Sequence, residues 1–132
     1  MSDHSVIFVV DDDREDRQIL HEYFEDREIG NRVRYFENGE QAITHLEALK
    51  EGSALPNLIV LDLNMPILNG TQALRVLKRD SRFKQIPVII LSTSENDDEK
   101  RKCLSYGAVD YLVKPMTFDE GRDIVERFAS YL

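Results

Sequence analysis

The sequence predicts an α/β fold: a five-stranded parallel sheet with five helices distributed over both faces. Short, β-branched apolar runs recur along the chain, and between them the apolar residues switch to helical spacing. The order is therefore strand then helix, five times over, which points to parallel strands joined by right-handed crossovers.

The first run, Val6 to Val10, is continuous and suits a strand buried on both faces. Asp13, with Asp16 three residues later, marks a helix start. Ile19, Leu20, Tyr23 and Phe24 then form one apolar stripe. Arg32 to Phe36 alternates Val33 and Tyr35 with Arg32 and Arg34, the pattern of a more exposed strand near an edge. Asn38-Gly39 turns the chain into a helix striped by Ala42, Ile43, Leu46 and Leu49. Leu58 to Leu61 is the third run, followed by a stripe at Ala73, Leu74 and Leu77. Val88 to Leu91 is the fourth, followed by a weaker stripe at Cys103 and Leu104. Tyr111 to Val113 is the fifth, and Thr117 with Glu120 caps a last helix striped by Ile124, Val125 and Phe128.

The length of 132 residues fits one domain, 1–132, with a single core. Seventeen Lys and Arg against 25 Asp and Glu give a net charge of -8, which repels a phosphate backbone and argues against nucleic-acid binding. Lys100-Arg101-Lys102 reads as a solvated helix face. Cys103 is the only cysteine, so an intrachain disulfide is excluded and a reducing, cytoplasmic setting is expected. No run reaches the roughly 20 apolar residues of a membrane span, so membrane insertion is not expected. His4 falls in the tail, and His21 and His45 fall in helical segments, where surface positions are expected.

The informative residues are polar ones at the ends of the apolar runs. Asp11-Asp12-Asp13 follows the first, Asp62 the third, Ser92-Thr93 the fourth and Lys114-Pro115 the fifth. In an open parallel sheet the carboxyl ends of the strands share one edge, where ligands bind. Two carboxylates ~4 Å apart repel by about 4 kcal/mol at an effective dielectric of about 20, a conflict that a divalent cation removes. An all-oxygen site without nearby His or Cys favours magnesium over zinc. Acids, a hard cation, a hydroxyl and a lysine together suit phosphoryl transfer. Asp62, set apart from the adjacent pair Asp11 and Asp12, is the candidate nucleophile. The bland alternative, that Asp11 and Asp13 only cap the first helix, is accepted for Asp13.

Phe8-Val9-Val10-Asp11-Asp12-Asp13, Leu61-Asp62-Leu63-Asn64-Met65-Pro66 with Asn69-Gly70, Pro87 to Ser92, and Tyr111-Leu112-Val113-Lys114-Pro115 together resemble the receiver domain of two-component response regulators, of the stand-alone CheY-like type. The resemblance covers nearly the whole chain. It implies the flavodoxin-like (βα)5 architecture with strand order 2-1-3-4-5. It also implies that Asp62 becomes an aspartyl phosphate, that Asp11, Asp12, Asp62 and the Asn64 carbonyl hold Mg2+, and that Lys114 pairs with the phosphoryl group. Ser92 matches the switch hydroxyl and Tyr111 the aromatic that turns inward with it; the bond before Pro115 matches a cis peptide. The implied partners are a sensor histidine kinase or histidine phosphotransfer protein as donor and a downstream protein target. The output face would be the fourth helix, fifth strand and fifth helix, roughly 96–132.

Some positions depart from the family pattern. Thr93 stands where the family commonly has alanine, which narrows the entrance to the phosphoryl site. Asn64 and Ser94 hold the positions that tune the lifetime of the acyl phosphate, and neither is a carboxylate base, so slow to moderate dephosphorylation is expected. The chain would be a phosphoacceptor acting on itself, not an enzyme. Two other classes remain in view. A haloacid-dehalogenase-type hydrolase would place Asp-x-Asp after the first strand, whereas here the acid pair Asp11 and Asp12 stands there. A pseudo-receiver would signal by binding alone, without needing the full set of Asp11, Asp12, Asp62, Ser92 and Lys114. Glycine-rich nucleotide loops are missing after the first run, which sets dinucleotide and P-loop chemistry aside.

Overall fold

A computed structural model describes residues 6–132. Five strands alternate with five α-helices: β1 (Ile7–Val10), α1 (Arg14–Asp26), β2 (Val33–Phe36), α2 (Gly39–Glu47), β3 (Leu58–Asp62), α3 (Gly70–Arg79), β4 (Val88–Ser92), α4 (Asp97–Ser105), β5 (Asp110–Val113) and α5 (Phe118–Ala129). A short 3-10 turn, Gly30–Arg32, precedes β2. All pairings are parallel and the strand order is β2-β1-β3-β4-β5, as expected.

The period of two along each strand divides the core into two layers. Phe8, Val10, Ile59, Leu61, Val88 and Ile90 face Ala42, Leu46, Leu74, Leu77 and Cys103, and so carry α2, α3 and α4. Ile7, Val9, Val60, Ile89 and Leu91 face Leu20, Phe24, Val125 and Phe128, and so carry α1 and α5. The central strands β1, β3 and β4 are buried on both faces, which is why they read as unbroken apolar runs. β2 lies at one edge, as its alternation suggests. β5 forms the other edge; there Tyr111 is buried, but Leu112 and Val113 are only half-buried, so the fifth run is less enclosed than its sequence suggests.

Polar side chains set the helix starts. Asp13 accepts the amides of Glu15 and Asp16, Asn38 that of Gln41, Asn96 those of Asp98 and Glu99, and Thr117 that of Glu120. Asn69 and Gln72 form a reciprocal capping box that opens α3. Gly70 lets this helix start against the end of β3. A Cβ there would lie 2.2 Å from the Asp62 carbonyl oxygen and 2.8 Å from the Leu63 Cα.

Because those neighbours are backbone atoms, Gly70→Ala forces α3 off the strand and is predicted to destabilise the fold by about 2–4 kcal/mol. Urea denaturation measures this. A stability within about 0.5 kcal/mol of wild type would show that the loop yields.

Candidate functional site

Each site residue is delivered by the carboxyl end of a strand. The Asp11 amide continues the β1–β2 ladder by donating to the Phe36 carbonyl at 3.0 Å, which fixes the residue just beyond β1. Asp62 and Ser92 fall inside their strands as the last residues of β3 and β4, paired with Leu91 and Val113. The Lys114 amide donates to the Ser92 carbonyl at 2.7 Å, so the lysine leaves β5 beside β4. An open cleft of about 690 Å³ results, lined by Asp12, Asp62, Asn64, Thr93 and Lys114 together with the first turn of α1.

Oxygens of Asp11, Asp12 and Asp62 all lie within 4.8 Å of one another. Asp11 and Asp62 are buried, 5% and 6% exposed, and Asp12 is open to solvent. Burial, reinforced by repulsion from Asp11, raises the Asp62 carboxyl to about 6, against the pull of Lys114 and of the Asn64 amide, 3.4 Å from Asp62 Oδ1. A donor set of hard carboxylates with one open side, at which one acid resists ionisation, fits a divalent cation.

The Lys114 ammonium is the counter-charge. It donates to Asp11 Oδ2 at 2.9 Å and to Asp16 Oδ2 at 2.7 Å, and stands 3.5 Å from Asp62 Oδ2. Burial pulls this ammonium toward neutrality, but the hydrogen bonds to Asp16 and Asp11 and the charges of Asp11 and Asp62 outweigh it. Lys114 therefore stays protonated, held above the usual lysine range. Ser92 is fully buried, and its Oγ accepts the Ser94 amide at 3.1 Å. Thr93 is exposed at the rim.

The Response regulator receiver domain model matches residues 7–126. The chain belongs to the response regulator receiver domain family of two-component systems. Among relatives, Response regulator Rcp1 of Synechocystis sp. is 31% identical over 137 residues, covering 99% of this chain and 93% of Rcp1. The probable methanogenesis regulatory protein FilR2 of Methanothrix harundinacea is 31% identical over 130 residues, covering 98% of this chain and 84% of FilR2. The phosphorylated cyanobacterial phytochrome response regulator RcpA superposes with a TM-score of 0.83 at 29% identity, over 98% of this chain and 94% of RcpA. The Mn2+-bound form of Rcp1 superposes with a TM-score of 0.80 at 30% identity, over 96% and 92% of the two chains.

Within this receiver domain the structure refines several expectations from the sequence. Asp13 caps α1 and Asp16 is an acid of its first turn, as the spacing suggests, but the Asp16 carboxylate is engaged by Lys114 and does not reach back to the cap amide. The Asp13 amide is already satisfied by Asp11 Oδ1 at 2.9 Å, which leaves Asp16 no capping partner to reach back to. No cis peptide occurs among the described residues, so the Lys114–Pro115 bond is trans, the isomer favoured by about 0.5–1 kcal/mol. Tyr111 is buried, with its hydroxyl donating to the Ser94 carbonyl at 2.9 Å. His21 and His45 are half-buried: His21 meets the Tyr35 hydroxyl at 2.8 Å, and His45 packs on the rings of Phe8 and Phe36. His4 lies outside the described residues.

The raised Asp62 carboxyl sets a pH dependence. Below the usual carboxylate range it is protonated in folded and unfolded chains alike. Between that range and about 6 the folded chain holds the extra proton, so stability falls as pH rises. With EDTA present, Asp62→Asn is predicted to exceed wild type by about 1–2 kcal/mol at pH 7.5 and to match it near pH 4. Urea unfolding at both pH values measures this, and a pH-independent difference would contradict it.

Proposed function

We propose that the chain is a phosphorylation switch in which Asp62 accepts a phosphoryl group beside a bound Mg2+. One observation carries the reading: three carboxylates converge within 4.8 Å while an ammonium stands 3.5 Å from the acid that ends the central strand β3. The likeness to a phosphorylated RcpA and to a Mn2+-bound Rcp1 supports both halves of it.

Asp11, Asp12 and Asp62, with the Asn64 carbonyl, would hold the cation. Bound magnesium would offset the negative charge of the carboxylates and of the incoming phosphoryl oxygens. A carboxylate oxygen of Asp62 attacks phosphorus, and the bond from phosphorus to the donor's leaving atom breaks. That atom, an imidazole nitrogen of phosphohistidine or an acyl oxygen of a small phosphodonor, departs with the bonding electron pair. Lys114 supplies a fixed positive charge to the phosphoryl oxygens, and the buried Ser92 hydroxyl supplies a donor. The chain is thus a phosphoacceptor that promotes its own phosphorylation and dephosphorylation, with a histidine kinase or phosphotransfer protein as donor and a cytoplasmic setting.

The new charge of about -1.5 to -2 biases a two-state surface. Ser92 and Tyr111 connect the site to that surface, because both meet the segment at Ser94. The output face comprises α4, β5 and α5, on which Lys100 and Arg101 are exposed to a protein partner. Thr93, Asn64 and Ser94 set the lifetime of the acyl phosphate, with no carboxylate among them to activate water.

Intact mass after incubation with acetyl phosphate and Mg2+ tests the reading. Wild type is predicted to gain one phosphoryl group, lost with EDTA and in Asp62→Asn, and to release it over minutes or longer. No adduct from acetyl phosphate or a candidate kinase would favour a module that signals by binding alone; release within seconds would contradict the lifetime.

A further inference from the structure

Asp16 stands outside the set of residues that the phosphorylation reading uses, yet it makes the shortest contact to Lys114, 2.7 Å against 2.9 Å for Asp11 and 3.5 Å for Asp62. It is the third residue of α1, where an acid ordinarily reaches back to the cap amide. That amide is taken by Asp11, and the Asp16 carboxylate turns to the lysine instead. The side chain is 36% exposed and the Lys114 side chain 13% exposed, so the pair is partly shielded from water. An ammonium has three donors. Two are engaged by Asp11 and Asp16, while the distance to Asp62 is an ion pair beyond hydrogen-bond length.

We propose that Asp16 is a positioning residue that holds the Lys114 ammonium on the α1 side of the site, in competition with the phosphoryl group that Asp62 receives. The inference rests on the phosphoacceptor reading of Asp62. The bond to Asp16 draws the ammonium toward α1 and away from the phosphoryl oxygens on Asp62, so Asp16 slows phosphorylation.

The test is the phosphorylation rate of wild type, Asp16→Asn and Asp16→Glu, with acetyl phosphate at saturating Mg2+ and at low and about 1 M salt. Asp16→Asn is expected to react about three- to tenfold faster, the change that a lost, partly exposed charged hydrogen bond gives. Asp16→Glu keeps the carboxylate and is expected to stay near the wild-type rate. The acceleration is expected to persist at about 1 M salt, where a Debye length of about 3 Å removes long-range repulsion of the donor but leaves close contacts. An Asp16→Asn rate equal to or below wild type overturns the proposal, and so does an acceleration that vanishes in salt. If wild type itself forms no adduct, the phosphoacceptor reading fails and the inference falls with it; an adduct with no Asp16 effect removes the inference alone.

Discussion

Gathering Asp11, Asp12 and Asp62 within 4.8 Å sets charge against charge at the end of the sheet, and the Lys114 ammonium makes that arrangement tenable in the folded chain. The sheet supplies the geometry. Strand order places β1 and β3 side by side, with β4 and β5 beyond, so four strand ends open on one cleft. Both faces of the sheet are closed by apolar layers, which leaves its carboxyl edge as the place where buried carboxylates can still meet solvent. Gly70 brings α3 onto the Asp62 backbone at the end of β3.

The charge balance of the site gives it a direction of response. One lysine faces three carboxylates at close range, and a fourth stands across the cleft at Asp12. Asp62 resists ionisation because it is buried beside another carboxylate, whereas Lys114 stays protonated in spite of burial because Asp16, Asp11 and Asp62 surround it. A cation relieves both. The buried Ser92 and Tyr111 are tied to each other through Ser94, whose amide bonds the Ser92 hydroxyl and whose carbonyl accepts the Tyr111 hydroxyl.

Much of this was legible in the sequence, and the exceptions have physical causes. The strands buried on both faces wrote themselves as continuous apolar runs, and their polar terminators marked the cleft. Asp62 and Ser92 read as following their strands because a polar residue interrupts the hydrophobic pattern, whereas backbone pairing continues through it. The capping box at Asn69 and Gln72 is marked in the sequence by spacing alone, without one of the five apolar runs ending beside it. Asp16 looked like part of a cap because spacing reports what a side chain can reach along its own helix; its partner lies 98 residues away, and only the fold brings the two together. His45 looked exposed because its ring contacts with Phe8 and Phe36 are tertiary.

The most direct test of the central claim, that these carboxylates form one cation site, is calorimetric titration of Mg2+ into wild type and Asp12→Asn at pH 7. One Mg2+ bound per chain in wild type, with binding lost or greatly weakened in Asp12→Asn, is the predicted result. No binding to wild type, or unchanged binding in the variant, would contradict it.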